Sequence, residues 1–220
     1  MKNLLIITML IFICACSSSQ PIPQWKDTAS RQLENYKINF LTDKEDATEP
    51  HFVNAKKAIS SNNDLNLLAT VYLIKYALHV AALENFDDSE FLRIDKLQTN
   101  AANRAYYNFL KGNFAAVDGS LLPANYSKVL PLMATKNLPD ARREIASISD
   151  PLSLLIACGV WVKHLPCDES ILMLAIDTAA KQGWRRPLWA YLTRLQKYYL
   201  DNDGITKAEN IKERLDLLKK

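Results

Sequence analysis

Apolar residues recur at helical spacing along nearly the whole chain. Trp25, Ala29, Leu33, Tyr36 and Phe40 form one stripe at intervals of three and four. The stretch Tyr36 to Phe40 also alternates in the manner of a strand, but the longer helical period covers it. Leu68, Val71, Tyr72, Leu78 and Ala82, with Lys75 and His79 between them, lie on neighbouring faces of a second long segment. Short polar side chains that can satisfy the free N–H groups of a first turn punctuate this pattern. Thr48 precedes a short helix to Ile59, Asp64 caps a long one through Leu83, Ser89 caps one over 89–98, and Asn100 opens one that ends at Gly112. Further helices are expected near 121–135, 139–148, 151–164, 168–182, 187–200 and 206–218. Pro123, Pro139, Pro151 and Pro187 sit where a helix start tolerates a missing N–H. Runs of β-branched residues at period two are absent. The pattern predicts an all-α fold.

The C-terminal part carries an internal pattern. Leu192, Leu195 and Tyr199 precede Asp203-Gly204, and Ala208, Ile211 and Leu215 follow. This resembles a tetratricopeptide (TPR) hairpin, in which large residues of the first helix pack on the second beside a small residue. Ala208 stands at the small position and Asp203-Gly204 at the turn, while Gln196 replaces the small residue usual midway along the first helix. Tyr126, Val129, Leu132, Met133, Ala141, Ile145 and Ile148 repeat fragments of the pattern, as does the pair 151–164 with 168–182. Second helices then begin near 139, 168 and 206, so the spacing is irregular. The resemblance implies stacked antiparallel helical hairpins, a TPR-like α-α superhelix, most repeat-like over residues 100–220; an irregular helical bundle is the alternative. Stacked hairpins generate a concave surface suited to peptides or protein partners.

The N-terminus is of another kind. Lys2 precedes an apolar run from Leu4 to Ile13, and small or polar residues follow. Such a run is too short to span a hydrocarbon core of about 30 Å. Charge, apolar stretch and small residues in that order are those of a secretory signal. Ile13-Cys14-Ala15-Cys16 resembles the lipobox of bacterial prolipoproteins. The resemblance implies that the Cys16 thiol receives a diacylglycerol, that signal peptidase II cuts between Ala15 and Cys16, and that the new amine can be acylated. Ser17, rather than Asp, follows the lipidated residue, which resembles the pattern exported to the outer membrane of Gram-negative cells. The expected organisation is a signal over 1–15, a lipidated cysteine and flexible tether over 16–23, and an all-helical domain over 24–220. Seven extended tether residues reach about 25 Å.

Loss of residues 1–15 leaves 205 of 220, enough for one sizeable domain or two small ones, and 49% of the chain is apolar. The formal charge of +3 loses one with Lys2, leaving +2. That balance argues against a nucleic-acid partner. Cys158 and Cys167 remain as an even set in an oxidising compartment, which makes a Cys158–Cys167 disulfide possible. Its difficulty is reach: one cysteine lies two turns inside an expected helix and the other begins the next.

Candidate chemistry is sparse. Trp184, Arg185, Arg186 and Trp189 join two helices and place two guanidinium groups between two indoles, a candidate partner-contact patch. Arg beside Trp can grip carboxylates, phosphates or sugars; alternatively the indoles close the hairpin core and the arginines stay solvated. Cys158, His164 and Cys167 lack the fourth ligand of a structural zinc site, and no metal or cofactor beyond the covalent lipid on Cys16 is expected. Asp201-Asn202-Asp203-Gly204 begins like a calcium loop, but Ile205 and Lys212 fall where oxygen ligands are required. Asp87, Asp88 and Glu90 suit the start of a helix dipole better than acid–base work. No GxSxG, HExxH, phosphate loop or GxGxxG is present.

These features together lead to the expectation of a lipid-anchored envelope protein, held on the outer membrane and facing the periplasm. It would act as an interaction or scaffold module for an unidentified envelope protein or peptide. A peptidoglycan-acting enzyme with dispersed acids, or a binder of a small ligand between its helices, are the competing expectations.

Overall fold

The computed structural model describes residues 23–219. The expected signal, Ala15, the lipidated Cys16 and most of the tether lie outside the described residues. The described chain is all-α. Its helices are α1 (Gln24–Leu41), α2 (Glu45–Ser60), α3 (Leu65–Ala81), α4 (Ser89–Leu97), α5 (Ala101–Leu110) and α6 (Ala124–Ser127). They continue with α7 (Val129–Ala134), α8 (Leu138–Ala146), α9 (Pro151–His164), α10 (Glu169–Gln182), α11 (Arg185–Asp201) and α12 (Ile205–Leu218), and two 3-10 turns precede α6.

Two helices, α3 and α9, are the most apolar of the chain, with apolar residues on most of their circumference, and such helices must be covered nearly all round. In α9 every residue from Leu154 to Val162 is buried. The two helices pack on each other at the centre. They run in the same direction: Ile74 and Leu78 share a groove with Leu152 and Ile156, and Val80 meets Gly159. A Cβ on Gly159 would stand 2.2 Å from the Val80 carbonyl oxygen, so only glycine admits this approach. Around this pair α1, α2, α4 and α5 cover α3, while α8 and α10 cover α9. From α9 to α12 each helix packs on the next, and α1 touches α11, so the first hairpin returns to the last.

Running in one direction brings helix C-termini together, where unbonded carbonyls concentrate negative charge. Lys163 answers this by donating to the carbonyls of Glu84 at 2.7 Å and Leu83 at 3.5 Å, just past α3. His164 Nε2 lies 3.0 Å from the carbonyl of Leu110, the last residue of α5, and therefore carries its proton there. Gly112, at φ +73°, leaves room for that ring: a Cβ would come within 2.4 Å of His164 Cγ.

Several expected boundaries hold. Asp64 accepts from the amides of Asn66 and Leu67, and Asn100 accepts from Asn103. Three others shift. Ser89 is the first residue of α4, and its amide is capped instead by Asp87 at 2.9 Å. Thr48 lies buried inside α2, which begins at Glu45; its hydroxyl donates back to Lys44 O at 2.7 Å. The single helix expected over 121–135 is broken at Lys128 into α6 and α7. Pro131 explains the break, since it has no N–H to offer Ser127.

Gly159→Ala is expected to cost about 3 kcal/mol, through overpacking against backbone that cannot yield. Gly183→Ala, at φ +66° with nothing within 4 Å, is expected to cost about 1 kcal/mol. Urea unfolding followed by circular dichroism ranks the two, and equal losses would contradict the central role given to the Val80–Gly159 contact.

Candidate functional site

The connection from α10 to α11 holds the four residues of the candidate contact patch. Gly183 ends α10 in the left-handed region, and the Trp184 amide donates to Ala179 O at 2.9 Å. The chain re-enters helix at once, with Pro187 buried in the first turn of α11. Consecutive arginines at this turn point apart, and the structure divides the patch accordingly.

Arg186 turns inward. Its side chain is only 16% exposed and reaches Asp43 at 3.1 Å, Glu45 at 3.0 Å and Glu84 at 3.1 Å. The guanidinium lies 4.5 Å from the centroid of the Phe40 ring, a favourable stack of cation on π-face. One cation thus joins the α1–α2 turn, the loop after α3 and the start of α11. Glu84 is shared further, with His79 Nδ1 2.7 Å away, and the His79 ring packs edge-on against Phe40. Burial opposes charge on Glu84, but the His79 hydrogen bond and the Arg186 guanidinium outweigh it and hold the carboxyl below its ordinary range.

Arg185 stays exposed and donates to Leu218 O at 3.4 Å. With Gly183, Leu188, Trp189 and Leu218 it lines a hollow of about 240 Å³. Lys219 Nζ stands 5.7 Å over the Trp189 ring. Trp184 is half-buried against the core. Of the four residues, Arg185 and Trp189 share this outer hollow, and Arg186 serves the interior instead of remaining solvated.

Cys158 and Cys167 are both free thiols in the structure, so the pairing suggested by the cysteine count is not made there. Cys158 is fully buried within α9, and burial pushes its thiol far above the ordinary value. Cys167, half-buried after the helix, is likewise raised by burial, against the pull of the nearby Arg194. His164 does not join them, because its ring is spent on Leu110 O. Among the described residues no group of three or more His, Cys, Asp or Glu side chains is arranged to hold a metal ion.

The acidic residues near the start of α4 also disperse. Asp87 caps Ser89, Asp88 accepts from Tyr107 and Lys111, and Glu90 pairs with Arg93. Sequence reading missed Asp95, which is 2% exposed and paired with Arg104. It also missed Asp43, Glu45 and Glu84 as partners of Arg186. A charge among the apolar residues of a helix, such as Asp95 beside Ile94, was the available signal for the first; the others are distant in sequence.

Two carriers of acid sensitivity follow. Glu84 has a folded pKa below its ordinary value of 4.5, so its contribution is present above that value and lost as pH falls through the lowered one. His164 is held below its ordinary value of 6.5, first by burial, so the fold favours its neutral form and loses stability as pH falls below 6.5. Stability is therefore expected to fall in two stages, and Glu84→Gln should reduce the lower one, which Asp88, held below its ordinary value by Lys111, shares. Arg186→Met is expected to cost about 2 kcal/mol, discounted from a fully buried pair because Asp43 and Glu45 are partly exposed. Thermal melts between pH 3 and 8 check both; an unchanged melting temperature for Arg186→Met would remove the cation from its structural role.

Comparison with known proteins gives no match: no family model fits the chain, and neither a curated protein nor a solved structure is similar to it.

Proposed function

We propose that this chain is a lipid-anchored protein of the bacterial envelope whose helical domain docks another envelope protein or peptide. The observation that carries the reading is the tetrad Ile13-Cys14-Ala15-Cys16 after a short apolar run. A thioether at Cys16 with two or three acyl chains gives durable anchoring, at about 0.8 kcal/mol per buried methylene. Ser17 favours the outer membrane, with the domain facing the periplasm.

The docking half of the reading draws on the helices. The α11–α12 pair turns at Asp203-Gly204, and it buries Leu192, Leu195, Tyr199, Ala208 and Leu215, the positions of the TPR-like pattern. The succession from α9 to α12 supports a stacked, TPR-like array. The hollow between Arg185 and Trp189 supplies a cation and an indole edge, the residue types that dominate binding energy at protein interfaces. No helix among the described residues is long and apolar enough to cross a membrane.

Two measurements test the two halves separately. Mass spectrometry of the protein from membranes should show an N-terminus at Cys16 carrying acyl chains, and Cys16→Ser should release the domain from the lipid fraction. Photo-crosslinking from position 188 in intact cells should capture one defined envelope protein, and Trp189→Ala should reduce that capture at least about tenfold, as loss of a hot-spot aromatic does. An unacylated N-terminus ends the anchor reading. Capture that is diffuse, or indifferent to Trp189, ends the docking reading.

A further inference from the structure

The hollow at the start of α11 carries charge of one sign. Gly183, Arg185, Leu188, Trp189 and Leu218 line it, and no acidic residue is among them. Arg185 is exposed and pairs with no carboxylate among the described residues. Its hydrogen bond goes to a neutral oxygen, Leu218 O, at 3.4 Å, which is long for a charge-assisted contact. The next residue differs sharply: Arg186 is met by three carboxylates.

The backbone does not cancel this charge. The start of α11 has no side-chain cap and no acid in its first turn, so about half a positive charge stands there. The carbonyl end of α12 at Leu218 opposes it with about half a negative charge. The guanidinium is what remains. At the rim Lys219 Nζ lies over the Trp189 ring, and its partner Asp216 is 3.8 Å away between exposed side chains, a contact of little strength.

Charge complementarity therefore asks for an anion, and the walls say what must accompany it. Leu188, Trp189 and Leu218 are apolar, and Leu218 is 40% exposed. One guanidinium matches one carboxylate as a fork. A phosphate brings up to about twice the charge, and the lining holds no second charged donor for it. A carboxylate set beside an apolar side chain satisfies both parts of the hollow, and neighbouring residues of a polypeptide supply that pair.

We propose that the hollow docks a protein segment in which an acidic residue neighbours a large aliphatic one, with the carboxylate on Arg185 and the aliphatic side chain on Trp189 and Leu218. The proposal rests on the docking reading above and gives its partner a chemistry.

The test uses the full chain in phosphatidylcholine nanodiscs, with 5-fluorotryptophan at its four tryptophans. The Trp189 fluorine signal, assigned with Trp189→Phe, reports the hollow. The probe is a capped tetrapeptide, acetyl-Leu-Glu-Glu-Leu-amide, and its control carries Gln in place of Glu. The acidic peptide should move the Trp189 signal, and the control should bind at least about tenfold more weakly, as loss of a charge-assisted contact implies. Arg185→Gln should erase that preference, and Arg185→Lys should keep part of it; Arg185 is exposed, so the fold tolerates both. Equal binding of the two peptides, or a preference that survives Arg185→Gln, overturns the proposal. An Arg185-dependent shift on changing the lipid to phosphatidylglycerol, larger than the acidic peptide gives, assigns the hollow to a lipid surface and overturns it too. In intact cells, capture from position 188 should be lost in Arg185→Glu and retained in Arg185→Lys. One defined protein still captured by Arg185→Glu overturns the acidic segment and leaves docking standing. No defined capture by the unaltered chain ends the docking reading and this proposal with it.

Discussion

Val80 and Gly159 meet where the two most apolar helices lie against each other, and the rest of the fold is arranged around that contact. A Cβ at position 159 would stand 2.2 Å from the Val80 carbonyl oxygen. Close approach of backbones removes the space that side chains would occupy, so α3 and α9 make one continuous apolar slab. Nine consecutive buried residues in α9 leave no edge for water, and every other helix either covers this slab or covers a helix that does. The cost falls at one end. Helices running in the same direction bring unbonded carbonyls together, which is why Lys163 and His164 are spent on the main chain of residues 83–84 and 110.

A second constraint ties the ends of the chain together. The α1–α2 hairpin and the α10–α11 turn are more than a hundred residues apart, and they meet through Arg186. Its three carboxylate partners come from the α1–α2 turn, the first residue of α2 and the loop after α3. A lysine could hold one of these oxygens by charge but could not fork between them while stacking on Phe40. Its buried Nε has no partner, a small deficit beside three charge-assisted contacts.

The helices were largely legible in the sequence because their signals are local. A stripe at intervals of three and four, an Asx residue before it and a glycine after it all act within one turn, as at Asp64, Asn100 and Gly183. Failures also had local causes that were underweighted: Pro131 removes an N–H in mid-segment, and Thr48 can bond backwards from within a helix. What no local pattern carries is which helix lies on which. The pairing of α3 with α9 spans some eighty residues, and nothing near Gly159 specifies Val80. The patch at Trp184–Trp189 was found as a cluster of residue types, but its division depended on three distant carboxylates claiming one arginine.

The inward turn of Arg186 also decides what the last helices present to solvent. With that charge withdrawn, Arg185 and Trp189 share the hollow beside the end of α12 with Leu188 and Leu218. Here Ile205 is 62% exposed, Leu217 67% and Leu218 40%. Leu218 lies in the same hollow as Trp189, while Leu217 and Ile205 lie outside it. The hollow at Trp189 and Leu218 is the surface our docking proposal gives to a partner.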